Sequence, residues 1–200
     1  MNDSLPGVGK TVGVLALQGG VAEHGDLLRT LGAEVVLVKK ATHLEDLDAL
    51  VLPGGESSTI DRLTRILDVR DALIGAISGG LPTLGTCAGL IMLSREISDP
   101  APGQQSLGLL DVTVDRNAFG SQVSSAETVL NWQSATGESR QVKAAFIRAP
   151  RVVRAGEDVE VTARYQGEIV GVRQGNLLGI SFLPELTGET AVHEELLGLI

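Results

Sequence analysis

The sequence predicts an α/β fold in three layers, with helices on both faces of a central, mostly parallel sheet and added antiparallel strands in the C-terminal half. Three observations lead there. As far as Ile97, short apolar runs ending in turn residues alternate with helical patterns, the signature of parallel strands joined by right-handed crossovers. After Pro100-Ala-Pro-Gly103 the texture changes to period-two segments separated by tight turns, which reads as hairpins. A chain of 200 residues with 43% hydrophobic content is also long enough to bury roughly 70% of its unfolded surface as one domain, with no disulfide or structural metal.

Residues 1–11 are polar and rich in Gly and Pro, and are expected to form a flexible leader to a single domain over 12–200. Val12–Leu17 is a short apolar run closed by Gln18-Gly-Gly20, as a strand buried on both faces would be. Val21–Leu31 places Leu27, Leu28 and Leu31 at helical spacing, and Gly32 follows where a left-handed C-cap is favoured. Glu34–Val38 and Ala49–Leu52 are the next strands. A helix with Ile60, Leu63, Ile66 and Leu67 follows the Ser57–Thr59 cluster, which can cap it, and Asp68–Ile77 is a second helical pattern. Leu81–Gly85 reads as a fourth strand and Ala88–Ile97 as a helix. In the second half, Leu109–Val114, Ala144–Ile147, Val159–Arg164, Ile169–Arg173 and Leu177–Phe182 read as antiparallel strands, with turns at Gln166-Gly167 and Gln174-Gly-Asn176. An amphipathic helix over Ala191–Ile200 closes the chain.

Composition excludes several function classes. A net charge of −9 argues against nucleic acid and anionic membranes as partners, because both need a basic face. No run of apolar residues approaches the length of a membrane span, and the N-terminus lacks the basic-then-apolar pattern of an export signal. One cysteine, Cys87, cannot form an internal disulfide, and with three scattered histidines it is too poor a set for structural zinc. A free thiol without a signal points to the cytoplasm. With aromatics at 2%, the core is expected to be built from Val, Leu, Ile and Ala.

Gly7-Val-Gly-Lys-Thr11 invites a phosphate-loop reading, but Ser4 stands where the first glycine is needed, and the segment precedes the first strand instead of following one. Gly85-Thr-Cys-Ala-Gly89 is more specific. It lies between a strand and a helix, with glycines two residues either side of Cys87, the pattern of a strained elbow that exposes a nucleophile. A thiol at a helix N-terminus is expected to have a lowered pKa. Val51-Leu-Pro-Gly-Gly-Glu-Ser-Ser-Thr59 ends another strand, and its two glycines can turn backbone N–H groups toward a developing oxyanion.

Six motifs occur in register: Leu15-Ala-Leu-Gln-Gly-Gly20, Leu52-Pro-Gly-Gly-Glu-Ser-Ser58, Gly85-Thr-Cys-Ala-Gly89, Arg116-Asn-Ala-Phe-Gly120, Phe146-Ile-Arg-Ala-Pro150 and Ser181-Phe-Leu-Pro-Glu-Leu-Thr187. In this order they resemble the glutaminase subunits of pyridoxal 5′-phosphate synthase, class I (triad) glutamine amidotransferases, over nearly the whole chain from Val12. The resemblance implies a flavodoxin-like three-layer sandwich. It also implies hydrolysis of L-glutamine to glutamate and ammonia, with ammonia passed to a separate synthase subunit in a hetero-oligomer, and needs no cofactor. It makes Cys87 the nucleophile that forms a glutamyl thioester and Glu185 the acidic triad member. Gly55, Glu56, Ser57, Arg116, Ile147 and Arg148 become glutamine contacts. Backbone N–H groups of Gly55 and Ala88 are reasonable oxyanion donors, and Gln18-Gly-Gly20 is expected to form part of the synthase contact.

One position departs from the family. Its triad strand reads Ser-Phe-His-Pro-Glu, and here Leu183 stands in the place of the histidine. Leucine can neither take the thiol proton nor activate water, so Glu185 is expected to have nothing to orient and turnover to be impaired. The alternative is a catalytically dead partner that binds the synthase. His24, His43 and His193 are expected at surface or capping positions, none of them a substitute base.

Overall fold

The computed structural model describes residues 4–116 and 126–200, and in it both faces of a twisted mixed sheet are covered. The first half follows the expected alternation. Strand β1 (Thr11–Leu15) leads to helix α1 (Val21–Thr30), β2 (Glu34–Val38), a 3₁₀ turn (Ala41–Leu44) and β3 (Ala49–Leu52). Helices α2 (Ser57–Ile66) and α3 (Arg70–Ser78) then precede β4 (Thr83–Thr86) and α4 (Ala88–Leu93). These strands pair in parallel in the order β2-β1-β3-β4. Along β3, Ala49 and Val51 join the core on one face while Leu50 and Leu52 join the core on the other. This is why the strand is apolar at every position instead of alternating.

Two expectations are corrected here. The helix expected over Ala88–Ile97 stops at Leu93. Ser94 turns to extended backbone, its Oγ donates to Ile91 O at 2.7 Å, and Ser94–Ile97 becomes β5. β5 pairs with β6 (Leu110–Asp115) in parallel, so the second half is not uniformly antiparallel. The other correction is at α2, whose cap is Glu56 and not the Ser57–Thr59 cluster.

The remaining strands are β7 (Ala126–Gln133), β8 (Ser139–Phe146), β9 (Arg151–Ala155), β10 (Glu160–Tyr165), β11 (Glu168–Gln174) and β12 (Leu177–Ile180). Short α5 (Pro184–Thr187) and α6 (Ala191–Gly198) follow. β7 and β9 carry no sequence expectation above, and β8 begins five residues before the expected Ala144. β12 is antiparallel to β11 but parallel to β4, so it joins the two halves of the sheet. β7 and β8 form a separate hairpin whose Leu130, Trp132, Val142, Ala144 and Phe146 pack with α1 and α6 in one core cluster. Helices α2, α3 and α4 cover the opposite face.

Residues 4–10, expected to be flexible, are tied to the body. Gly7 N–H donates to Leu31 O at 2.8 Å, Glu34 N–H to Lys10 O at 2.9 Å, and Lys10 Nζ to Leu197 O at 2.6 Å.

Candidate active site

The C-terminal ends of β3, β4 and β12 lie side by side and deliver three loops to one place: Gly54-Gly55 after β3, Cys87 after β4, and Leu183 to Glu185 after β12. A cavity of about 230 Å³ is lined by these residues with Gly19, Gly20, Glu23, Ile147 and Leu186. Open α/β sheets bind ligands at this end of their strands. A larger cavity of about 310 Å³ between Trp132, Arg140 and α6 includes none of these three loops.

Cys87 sits on a strained elbow, with φ +50 and ψ −102, a conformation a non-glycine residue adopts only when its surroundings impose it. Its N–H donates to Ile180 O at 2.8 Å, tying the elbow to β12. Both flanking glycines are required by space. A Cβ on Gly85 would lie 2.6 Å from the Gly89 carbonyl, and one on Gly89 would lie 2.0 Å from Leu52 O.

The expectation of a lowered thiol pKa is corrected. Burial pushes the Cys87 thiol up to about 12; a hydrogen bond involving the Ala88 backbone opposes the rise, and the nearby Glu185 carboxylate adds to it. Only about 10⁻⁵ of the thiol is ionised at pH 7 on that basis. The helix α4 behind Cys87 is only six residues long, and its N-terminus does not offset the loss of solvent.

The other side chains divide into two groups. Leu183 packs its Cδ2 against Gly54 and donates its N–H to Ala145 O at 2.9 Å, so an apolar side chain occupies the wall beside Cys87. Ile147 lines the cavity and is exposed. Arg148, at φ +45, is exposed and makes no hydrogen bond or ion pair among the described residues. Glu56, in contrast, is directed at its own helix. Its carboxylate accepts from Thr59 N at 2.8 Å, Thr59 Oγ1 at 2.9 Å and the Ser58 hydroxyl. Partial burial by itself would raise its pKa, and these hydrogen bonds outweigh that and hold it below the usual carboxylate range.

Arg116 is not at the cavity wall. Its Nε donates to Asp99 O and its Nη1 to Gln104 Oε1, both at 2.9 Å, while Gln104 Nε2 donates to Ser57 Oγ at 2.9 Å. Gln104 therefore links Arg116 to the turn after β3. The rest of that motif, residues 117–120, lies outside the described residues.

The histidine expectation is corrected most. His43 is half-buried within the 3₁₀ turn and accepts from Lys39 N–H at 3.2 Å without capping it, whereas His24 and His193 are fully buried. His24 Nε2 lies 3.3 Å from Glu185 Oε1 and 3.1 Å from Thr86 Oγ1, and its Nδ1 is 2.8 Å from His193 Nε2. Glu185 is thus engaged by an imidazole, though not one at position 183. The signal was present in the sequence. His24 precedes Leu27, Leu28 and Leu31 by three, four and seven residues, which places it on the buried stripe of α1.

Gln18 was also not foreseen as a side chain. Its Oε1 accepts from Glu56 N–H at 2.8 Å and lies against Gly55, and Gly20 N–H donates to Gly54 O at 3.0 Å. Among the described residues no three His, Cys, Asp or Glu gather to hold a metal ion, and no helix is long and apolar enough to cross a membrane.

Comparison with known proteins places this geometry in context. Residues 14–197 match the model of the SNO glutamine amidotransferase family. The chain is 53% identical over 182 residues to a protein of Parafrankia sp. (strain EAN1pec) named pyridoxal 5'-phosphate synthase subunit PdxT, covering 91% of this chain and 89% of the relative. A protein of the same name from Kineococcus radiotolerans is 52% identical over 188 residues, covering 92% and 91%. A crystal structure described as a glutamine amidotransferase superposes with a TM-score of 0.86 at 46% identity, over 94% of this chain and 97% of that one. The PurLQS structure from Thermotoga maritima shares the fold, with a TM-score of 0.63 at 21% identity over 88% and 87%.

Proposed function

The chain belongs to the SNO glutamine amidotransferase family, and from that membership we propose that it is a glutaminase subunit of a pyridoxal 5′-phosphate synthase, with residues 12–200 as one glutaminase domain. It takes L-glutamine, releases glutamate and ammonia, and hands ammonia to the synthase subunit in a hetero-oligomer in the cytoplasm. No cofactor takes part. The observation that carries this reading is the strained Cys87 elbow enclosed in one cavity with the Gly54-Gly55 turn, Ile147 and Glu185.

In the reaction, Cys87 Sγ attacks the carboxamide carbon and the C–N bond breaks, giving a glutamyl thioester and ammonia. Water then cleaves the thioester to glutamate. Backbone N–H groups of Gly55 and Ala88 stabilise the oxyanion of each tetrahedral intermediate. Glu56, Ser57, Arg116, Ile147 and Arg148 bind the substrate. Two features support Arg116 acting from outside the cavity wall: Gln104 links it to Ser57, and Ser57 begins α2 two residues after Gly55.

Leu183 limits turnover. A thiol with a pKa near 12 needs a base to reach the thiolate, and leucine offers none. Loss of the base from a triad costs on the order of 10³- to 10⁶-fold. The same residue favours a second reading, a glutaminase-like partner that binds the synthase without supplying ammonia. Glutamate release from glutamine, measured with the synthase subunit present, separates the two. Leu183→His is expected to raise release on the order of 10³-fold or more, with Cys87→Ala abolishing it. No gain from Leu183→His would overturn the first reading in favour of the second.

A further inference from the structure

The buried pair of histidines behind Glu185 is not accounted for by the reaction above. We infer that His24, backed by His193, is a positioning residue that holds the Glu185 carboxylate by one oxygen and leaves the other free for an imidazole at position 183. This rests on the glutaminase reading for its catalytic consequence, but its geometry is independent of that reading.

The groups around His24 set the direction in which protons are donated along this relay. His24 is hemmed in by three groups: His193 on α6 at its Nδ1, and Thr86 at the end of β4 and Glu185 on α5 at its Nε2. Two tautomers are available to the pair. In one, His193 Nε2–H donates to His24 Nδ1, and His24 Nε2–H is presented to Glu185 Oε1 and Thr86 Oγ1. In the other, His24 Nδ1–H donates to His193 Nε2, and the nitrogen facing the carboxylate carries no proton. The second arrangement sets a lone pair against an anionic oxygen. It also requires His193 Nδ1 to carry the proton, and that atom is buried with no partner among the described residues. A buried orphan N–H costs more than a buried orphan acceptor. Both arguments select the first arrangement. Burial, and then the neighbouring His24, also hold His193 well below the usual histidine range, consistent with a neutral ring that has one proton to place.

Glu185 Oε2 is the other end of the relay. It is buried and unpartnered among the described residues, on a side chain that lines the cavity with Leu183 and Cys87. The contact of Oε1 with His24 restrains rotation of the carboxylate. A triad needs this arrangement, since a carboxylate orients its imidazole only when it is itself oriented.

Two measurements test the inference. The first is histidine side-chain ¹⁵N NMR on the chain as it stands. His24 is expected as the Nε2–H tautomer, with its Nε2 signal shifting in Glu185→Gln; an Nδ1–H tautomer would overturn the inference. The second uses the complex with the synthase subunit in a Leu183→His background. His24→Met is expected to lower kcat about ten- to a hundredfold with KM for glutamine nearly unchanged. His24→Gln, whose amide N–H can reach the place of Nε2, is expected to recover most of that loss. An unchanged kcat in a folded His24→Met protein, or a loss that Gln does not repair, would count against positioning. If Leu183→His itself releases no glutamate, the glutaminase reading fails and the tautomer alone decides the role of His24.

Discussion

At the scale of single residues, Cys87 offers very little thiolate by itself. Thiols are alkylated as thiolates, so the rate follows the ionised fraction. With a folded pKa of about 12, alkylation of Cys87 by iodoacetamide is expected to be very slow at pH 7 and to climb about tenfold per pH unit toward that value. Glu185→Gln removes a negative charge that raises the pKa, so its rate at a fixed pH should exceed that of the parent. A rate that levels off near pH 8.5 in the folded parent would show that burial does not control the thiol. The position of this cysteine was legible, because Gly85 and Gly89 frame it at the spacing an elbow demands. Its protonation was not, since desolvation comes from β12, α4 and the glycine turn packing around it, and no local pattern reports that. The buried place of His24 could have been read from the leucine stripe it begins.

The elements of the first half were legible because each is local: an apolar strand, a glycine turn and an amphipathic helix follow one another within a short span. The helix expected through Ile97 was overridden by distant pairing, since Ser94–Ile97 finds its partner strand sixteen residues on at Leu110–Asp115. β9 escaped notice because only Val152 is buried on it. Packing between elements gives a paired prediction. Gly89→Ala places a Cβ 2.0 Å from Leu52 O, where α4 crosses β3, and is expected to destabilise by about 3 kcal/mol or more. Gly75→Ala, inside α3 with no atom within 4 Å of the new Cβ, is expected to stabilise by about 0.5–1 kcal/mol. Urea unfolding of the two variants checks both signs, and equal effects would sink the steric account.

For the whole molecule, the β7–β8 hairpin is not part of the main sheet and must be fastened to it. Arg173 of β11 is one fastening: it pairs with Glu160 on β10 and Glu195 on α6, and Glu195 also accepts from Trp132 Nε1 on β7. Arg173→Ala leaves the buried Glu195 without its cation, at a cost of about 3–5 kcal/mol. The expected fall in Tm is roughly 6–20 °C, read from the fluorescence of Trp132, the one tryptophan in the chain. A shift under about 2 °C would mean that Arg173 does not fasten the hairpin. The buried thiol also bears on how the molecule fares when free in solution. Peroxides attack thiolate far faster than thiol, so a thiol kept protonated is shielded from oxidation. Cys87 of the uncomplexed subunit should stay unmodified, read by peptide mass, through peroxide exposure that converts low-pKa cysteines to sulfenic and sulfinic acids.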